Sequence, residues 1–428
     1  MIDAGQATKG GASEKRAPIS KRDQAMKPIP NNVVAFTGDN LNDILAVQSA
    51  RFMEVLRPFG YVGHVLDLRA PDTSQRLTEL VIEGIAFAWG YAGVGARLGS
   101  GNQNFWASIK VPFVSVLADP PFWMARNHQV PSSWVVNGYV YKDWLTFQKK
   151  YIRSPQISSL LPMGVLPNPD RASIPWERRP VAMAYVKTGS DPQKLVAAWE
   201  RLPARLNKAL REAARILTDQ PTGDLVTVAT ATFRAVGLHI EESRAMLFGM
   251  LNELDLYIRA VRATRVARAL LPLPVEIYGG GWDYLCQETE GARAVFRPAF
   301  HASKLDVLFA RSRWLVNSTP NFSTGAHERV LRGFAAGCAV ASDLNDYARS
   351  NLSRLPAFCG FEWNSPGLTD QIAEALACKS LDQSALDQGT QFVEQHFSPL
   401  AFMRSVAELA DAARANEAFA EFSPEAAQ

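Results

Sequence analysis

The chain has 428 residues, 47% of them hydrophobic and 20% charged, and a formal net charge of +3 at pH 7. This length predicts two domains that are each large enough to bury a core. The small net charge gives no reason to expect a nucleic-acid partner, and none is predicted. The sequence contains no run of about 18 uncharged apolar residues, so no membrane span is predicted either.

The N-terminal segment 1–30 is polar, rich in glycine and lysine, and free of aromatic residues. This composition predicts a disordered tail, and no apolar core follows its charges as it would in a signal peptide. The four cysteines show no metal-type pairing: they are Cys286, Cys338, Cys359 and Cys378. Without an export signal they are expected to be reduced thiols in a cytoplasmic protein.

Residues 31–166 predict a first Rossmann-like domain. Its strands are expected at short apolar runs that end in polar turns, at 32–37, 61–67, 85–89, 113–117 and 135–140. In open α/β sheets, ligands lie beyond the carboxyl ends of the strands. The turns after these runs are therefore the first places to look for functional side chains.

Three side chains in or near these turns are candidates for the chemistry. Asp39 lies in the turn after the first strand and could contact a substrate hydroxyl. Asp119 lies in an Ala-Asp-Pro-Pro turn, His128 follows it, and either could act as a general base on an acceptor hydroxyl. Each also has a structural explanation, because aspartate beside glycine or proline is common turn chemistry and an isolated histidine is often structural.

A Pro-rich segment at 167–180 separates the first domain from a second one at 181–398, since the composition shifts there to Pro, Asn, Asp and Arg. The strand at 181–186 opens this second domain. The segment 399–428 is predicted to contain a helix that crosses back to the first domain, followed by a tail.

Residues from about 191 to 270 interrupt the alternation of strands and helices, and they predict a helical insertion in the second domain. Its last helix, at Leu251–Leu270, carries four arginines: Arg259, Arg262, Arg265 and Arg268. They could form an ordinary solvated face, or a surface for a partner or for lipid headgroups, which would give peripheral membrane contact.

The stretch Trp314–Asp343 reads as strand, loop, helix and strand, which predicts a right-handed β-α-β unit with parallel strands. Its loop, Ser318–Gly325, would present free backbone N–H groups at the start of the helix, where the helix dipole also favours anions. Thr324 could cap that helix. The pattern predicts a site for a phosphate-bearing ligand.

The residues that follow this loop, HERVLRGFAAGCAVASD, resemble the nucleotide-sugar motif of GT-B glycosyltransferases, in the bacterial glycosyltransferase group 1 and spore-maturation-type branch. The matching residues are Arg329, Val330, Ala335, Gly337, Ser342 and Asp343. The acid that this family places three positions after the matched arginine, for the donor ribose, is Arg332 here. Glu328 could take over the ribose contact, or it could form an i,i+4 ion pair with Arg332.

Two further segments carry the resemblance. Gly279–Trp282 is similar to the G-x-G-W loop of this branch, where glycines allow close backbone approach to a ligand and the aromatic ring can stack on a base or sugar. Lys187 follows the first strand of the second domain, where the family often supplies a basic residue to the donor diphosphate. A solvated surface lysine is the alternative.

The resemblance implies an α/β protein of the GT-B fold, with two Rossmann-like domains that face a cleft. It implies a glycosyltransferase that moves a sugar from a nucleotide-activated donor to a saccharide, lipid-linked or protein acceptor. No metal and no cofactor are expected besides the nucleoside-diphosphate sugar itself. The predicted donor site comprises Lys187, Gly279, Gly281, Trp282, Thr324, Gly325, His327, Glu328 and Arg329.

Two other functions stay open at this point. Arg332 in place of the usual acid favours a catalytically inactive GT-B protein that serves in binding or assembly. A sugar-nucleotide epimerase on the same fold would bind the donor and need no acceptor.

Overall fold

The computed structural model describes residues 30–100, 103–220, 224–288, 291–377 and 381–421. The tail predicted at 1–30 lies outside the described residues, apart from its last residue. The described chain contains two parallel six-stranded sheets, one in each half, with helices packed on their faces. The predicted α/β architecture is confirmed.

The first half alternates strands and helices in the order expected for a Rossmann-like sheet. Its elements are β1 (Asn32–Thr37), α1 (Ile44–Leu56), β2 (Val62–Asp67), α2 (Thr73–Glu83), β3 (Ile85–Tyr91), β4 (Gly99–Ser100), β5 (Gln103–Asn104), α3 (Phe105–Ile109), β6 (Phe113–Leu117), β7 (Val135–Tyr139), α4 (Lys142–Phe147) and β8 (Ser158–Leu160). The sheet has the strand order β2-β1-β3-β6-β7-β8. All residues of β1, β6 and β7 are buried because helices and loops cover both faces of the sheet.

The second half repeats the pattern with four helices between its first two strands. Its elements are β9 (Val181–Val186), α5 (Pro192–Trp199), α6 (Ala204–Asp219), α7 (Leu225–Ala235), α8 (Arg244–Leu270), β10 (Val275–Tyr278), β11 (Val295–Arg297), α9 (Leu305–Ala310), β12 (Ser312–Asn317), α10 (Glu328–Ala335), β13 (Ala339–Asp343), β14 (Phe358–Phe361), α11 (Leu368–Ala377), α12 (Gln383–His396) and α13 (Pro399–Glu421). The strand order is β11-β10-β9-β12-β13-β14. No helix in the described ranges has the length and apolar character needed to cross a bilayer.

The order of the second sheet determines where a ligand fits. The chain runs outwards from β9 in one direction through β10 and β11, and in the other through β12, β13 and β14. This order reverses between β9 and β12, so the crevice beyond their carboxyl ends is the favoured ligand position in an open α/β sheet.

The helices between β9 and β10 connect the two halves. Trp199, Leu210 and Leu251 from these helices share one buried cluster with Trp144 and Phe147 of α4 in the first half. The helical segment therefore packs against both halves and covers one side of the cleft between the sheets.

The last helix returns to the first sheet. Phe402 near the start of α13 packs on Phe52 of α1, with ring centroids 4.8 Å apart, and on Trp89 of β3. Met403 and Val406 lie in the same buried cluster. The C-terminal helix thus contributes core residues to the first half of the chain.

Candidate functional site

The carboxyl ends of the two sheets face each other across a cavity of about 200 Å³. Both halves and the inserted helix α8 supply polar groups to its walls: these are Gln48, Asp119, Tyr141, Arg259, His327 and Glu328. The site therefore lies between the halves, as the sequence predicted for a two-domain cleft.

Lys187 directly follows β9 at the point where the strand order of the second sheet reverses. Its ammonium group makes no hydrogen bond or ion pair with any described residue. The pKa of Lys187 is lowered well below its ordinary value by burial, and further by the positive charges of Arg329, Arg259 and Arg262. An anion bound among these groups would offset both the desolvation of the ammonium group and its repulsion by the three arginines.

Arg329 reaches the same place from the first turn of α10. Its guanidinium donates a hydrogen bond to the carbonyl oxygen of Val186, the last residue of β9. Its Nη2 lies 3.2 Å from Nε2 of His327, and no carboxylate of the described residues pairs with it. Burial lowers the pKa of Arg329, yet an arginine stays charged in proteins. Arg329 is therefore a fixed positive charge beside Lys187.

His327 caps the helix that carries Arg329. Its Nδ1 accepts a hydrogen bond from the backbone N–H of Arg329 at 3.2 Å. Burial lowers the pKa of His327 well below its ordinary value, and Arg329 and Lys187 lower it further. The imidazole is therefore neutral at physiological pH, which its acceptor role requires.

The structure corrects the predicted cap and the predicted anion loop. Thr324 does not cap α10; it bonds to Asp143 of α4 in the first half. The Asp143 carboxylate accepts hydrogen bonds from the backbone N–H groups of Ser323 at 3.1 Å and Thr324 at 3.0 Å, and from both hydroxyls. These backbone donors, which the sequence assigned to a ligand anion, are satisfied by the protein itself.

Gly325 is also used for contact between the halves. A Cβ atom at this position would lie 2.6 Å from Cδ1 of Tyr141, so only glycine lets the loop approach that ring. Tyr141 stacks on Phe322 with ring centroids 3.8 Å apart, and its hydroxyl donates to the carbonyl oxygen of Ala326 at 3.3 Å. Together with Asp143, these contacts form a clasp between the halves.

Glu328 and Arg332 form the i,i+4 ion pair that the sequence left as one of two alternatives. Arg332 lies 3.0 Å from Glu328 and 2.6 Å from Asp306, and its side chain is only 10% exposed. Each acid is also bonded to α1 of the first half, Glu328 by Gln48 and Asp306 by Arg51. Arg332 therefore belongs to a second contact between the halves.

The Gly279–Trp282 loop packs on the loop that carries Lys187. A Cβ atom at Gly279 would clash with the carbonyl oxygen of Lys187, and one at Gly281 would clash with that of Gly189. The indole N–H of Trp282 donates to the carbonyl oxygen of Lys187 at 2.8 Å, and the residue is 3% exposed. In this arrangement the ring supports the Lys187 backbone and is not presented for stacking on a base.

Asp119 follows the carboxyl end of β6 and lines the cavity together with His327 and Glu328 of the second half. The side chain is accessible within the cleft, and its surroundings nevertheless raise its pKa: desolvation has the largest effect, Arg259 opposes it and Asp255 adds to it. Of the three predicted catalytic residues, Asp119 is thus the one that lines this cavity.

The other two predicted catalytic residues do not line this cavity. His128 is 2% exposed, stacks on Tyr139 and forms a hydrogen bond of 2.8 Å from its Nδ1 to that hydroxyl. This buried position gives no access to an acceptor hydroxyl, so His128 has the structural role that the sequence left as its alternative. Asp39 is exposed in its turn beyond β1 and also lies outside the cavity lining.

The arginines of α8 are where the sequence interpretation missed functional candidates. Arg259 and Arg262 have side chains only 15% and 7% exposed and point into the cleft, so they do not form a solvated or lipid-binding face. Arg262 donates to the carbonyl oxygen of Thr319 and lies 3.4 Å from Asp343. The available signal was the C-terminal part of this helix, 256–270, which apart from its arginines and Thr264 is apolar around its circumference, because such helices are buried.

A larger cavity, of about 480 Å³, is lined by the clasp residues Asp143, Ser323 and Thr324. Its walls come from α4, α7 and α8 and from the segments after β12 and β13, and Arg262 and Asp343 line it. It is separate from the cavity that contains Asp119, although both are bounded by Pro320 and Phe322.

Comparison with solved structures shows how this arrangement relates to known proteins. Sucrose-phosphate synthase from Thermosynechococcus elongatus matches 90% of this chain and 100% of its own at a TM-score of 0.50 and 10% identity. An α-glucosyltransferase, in complex with UDP-glucose and DNA containing an abasic site, matches 89% of this chain and 98% of its own at a TM-score of 0.54 and 7% identity. No family model and no curated protein matches the chain. The chain therefore has the two-domain GT-B fold of glycosyltransferases, as predicted.

The clasp generates a prediction about the contact between the halves. Asp143→Ala removes the acceptor of four hydrogen bonds, and we expect the free energy of unfolding to fall by about 2 kcal/mol. Small-angle X-ray scattering should show a larger radius of gyration because the cleft can open. Asp346→Ala is the matched control, since this exposed carboxylate lines the same larger cavity without a partner among the described residues. Equal effects of the two variants would contradict the clasp.

The buried His128 generates a prediction about pH. Burial lowers the pKa of His128 in the folded protein to about 4, from an ordinary value of 6.5. Between these values only the unfolded state takes up the proton, so this histidine's contribution to stability is present above pH 6.5 and is lost as the pH falls to about 4. The loss should reach about 3 kcal/mol.

Urea unfolding across this pH range checks the assignment. His128→Gln should flatten the decline in the free energy of unfolding relative to wild type, whereas His239→Gln should not, because that side chain is 51% exposed. A decline in His128→Gln as steep as that of wild type would show that His128 is not the group responsible.

Proposed function

We propose that this protein is a glycosyltransferase that moves a sugar from a nucleoside-diphosphate sugar to an acceptor hydroxyl. We also propose that it is of the group 1 type, and that its motif is most similar to that of the spore-maturation-type branch. The observation that carries the proposal is the pair Lys187 and Arg329. Both are half-buried cations without a carboxylate partner among the described residues, and both lie where the strand order of the second sheet reverses.

The donor diphosphate fits between these two cations. Negative charge builds up on the diphosphate as the bond to the sugar breaks, and fixed positive groups stabilise that charge most effectively in a site with little water. Lys187 and Arg329 supply this charge from β9 and α10, so in this proposal no metal ion is required. The neutral His327 holds Arg329 in place by capping its helix.

The acceptor hydroxyl is proposed to approach from the first half, on the side of Asp119. Desolvation raises the pKa of Asp119, so its carboxylate is a better proton acceptor than an exposed aspartate. A saccharide, lipid-linked or protein hydroxyl would satisfy this arrangement. The two contacts between the halves, at Asp143 and at Arg332, would keep water out and protect the donor from hydrolysis.

A second function is favoured by one specific observation. Arg332 stands where the family places the acid for the donor ribose, and Glu328 is already bonded to Arg332 and to Gln48. A catalytically inactive GT-B protein, which binds a nucleotide sugar or a partner without transfer, would not need the ribose contact. Turnover separates this alternative from the proposal.

A thermal-shift screen tests the proposed donor site. Wild type is titrated with UDP, GDP, dTDP, CMP and their sugar conjugates, and UDP comes first because the α-glucosyltransferase of similar fold was solved with UDP-glucose. A ligand at 100 times its dissociation constant should add about 2.7 kcal/mol of stability. Arg329→Ala and Lys187→Ala should lose the shift, and Lys208→Ala, an exposed lysine of α6, should retain it.

The outcome separates the three functions. A shift with one nucleotide, lost in both site variants, followed by release of nucleoside diphosphate when acceptors are added, supports the transferase. A shift without any turnover supports the inactive binding protein, and isomerised donor in the absence of acceptor supports the epimerase. No shift with any nucleotide would overturn the proposed donor site.

A further inference from the structure

Arg259 of α8 has the geometry of a substrate-binding cation. Its side chain lines the smaller cavity and is 15% exposed. Its Nε lies 2.9 Å from a carboxylate oxygen of Asp255, and its guanidinium lies over the ring of Trp123 at 4.4 Å from the centroid. The two terminal nitrogens form no hydrogen bond with the described residues, so their donors remain for a ligand.

The groups that hold Arg259 are themselves fixed. Asp255 is fully buried and accepts a hydrogen bond of 2.9 Å from the side chain of Asn321 in the loop after β12. Trp123 belongs to the loop of the first half that also carries Asp119. Arg259 is therefore oriented by all three parts of the structure that surround the cleft, namely the first half, the second half and the inserted helices.

The positive charge of Arg259 shifts the pKa of groups in the proposed donor site. It lowers the pKa of Lys187 and of His327, in each case after the larger effects of burial and of closer cations. On the other side it opposes the rise in the pKa of Asp119. Arg259 thus lies between the cations of the second sheet and the carboxylate of the first.

We propose that Arg259 is a catalytic residue, supplied by the helical insertion, that contacts the phosphate nearer the transferred sugar. This inference rests on the proposed function and adds a third cation to the donor site. Lys187 and Arg329 belong to the second half, whereas Arg259 lies over Trp123 of the first half, towards the acceptor. The phosphate that carries the sugar is the one that faces that side.

The chemical role follows from this position. The bond between the anomeric carbon and the β-phosphate oxygen breaks, and its electron pair stays on that oxygen. The acceptor oxygen forms the new bond to the anomeric carbon and gives its proton to a base such as Asp119. The guanidinium of Arg259 stabilises the charge that appears on the β-phosphate, as preorganised cations do in phosphate-leaving reactions.

Isothermal titration with paired nucleotides tests this placement. The probes are the nucleoside diphosphate that binds wild type best, from UDP, GDP, dTDP, ADP and CDP, and the corresponding monophosphate. Arg259→Ala should weaken the diphosphate about 10- to 100-fold, the effect of losing a charged hydrogen-bonding group. Affinity for the monophosphate should change less than about twofold, since Arg259 is assigned to the second phosphate.

Arg265→Ala is the matched control. This arginine lies on the same helix, over Trp363 at 5.2 Å, and does not line the smaller cavity. Because Arg259→Ala leaves the buried Asp255 without its cation, the double variant Asp255→Asn/Arg259→Ala removes both charges and keeps the acceptor for Asn321. Thermal unfolding without ligand establishes that each variant is folded.

Three results decide the inference. Selective loss of diphosphate affinity in Arg259→Ala and in the double variant, with Arg265→Ala unchanged, supports it. Wild-type affinity in both Arg259 variants, or equal loss of monophosphate and diphosphate, overturns the inference and leaves the proposed function standing. Absence of nucleotide binding by wild type overturns both together.

Discussion

Repulsion between poorly solvated cations is the constraint on which the cleft depends. Four positive side chains converge near the carboxyl ends of β9 and β12: Lys187, Arg259, Arg262 and Arg329. Asp255 pairs with Arg259 and Asp343 pairs with Arg262, which leaves two positive charges without a partner. Burying such charges is costly unless something compensates them. The diphosphate of the proposed donor would supply the compensating negative charge.

Two sets of contacts hold the halves closed over these cations. On one side Asp143 of α4 holds the loop at Ser323 and Thr324, with the Tyr141 ring packed beside it. On the other side Arg332 forms ion pairs with both Glu328 and Asp306. These two acids accept hydrogen bonds from side chains of α1 in the first half. The arginine at position 332 is therefore explained by closure, because this helix position joins the two halves.

The fold could be predicted from the sequence because apolar runs that end in polar turns depend mainly on local pattern. The cleft cations Lys187 and Arg329 could also be named, since they lie within two residues of predicted strand and helix ends. In both cases the chain position alone determines which edge of the sheet the side chain occupies.

The contacts between the halves could not be predicted in the same way, because they join residues far apart in the chain. Thr324 looked like a helix cap until Asp143, 181 positions earlier, was placed beside it. His128 looked like a possible base, and only its packing on Tyr139 shows it to be buried. The arginines of α8 were interpreted as a surface because the helix is basic, although the other residues between Leu256 and Leu270 are apolar around the circumference apart from Thr264.

A crystal structure with bound nucleoside diphosphate would test the central claim most directly. Both phosphates should lie where the smaller cavity meets the carboxyl end of β9, with oxygens within hydrogen-bonding distance of the Lys187 ammonium and the Arg329 guanidinium. A nucleotide found in the larger cavity between α4, α7 and α8, with Lys187 and Arg329 still without a partner, would contradict it.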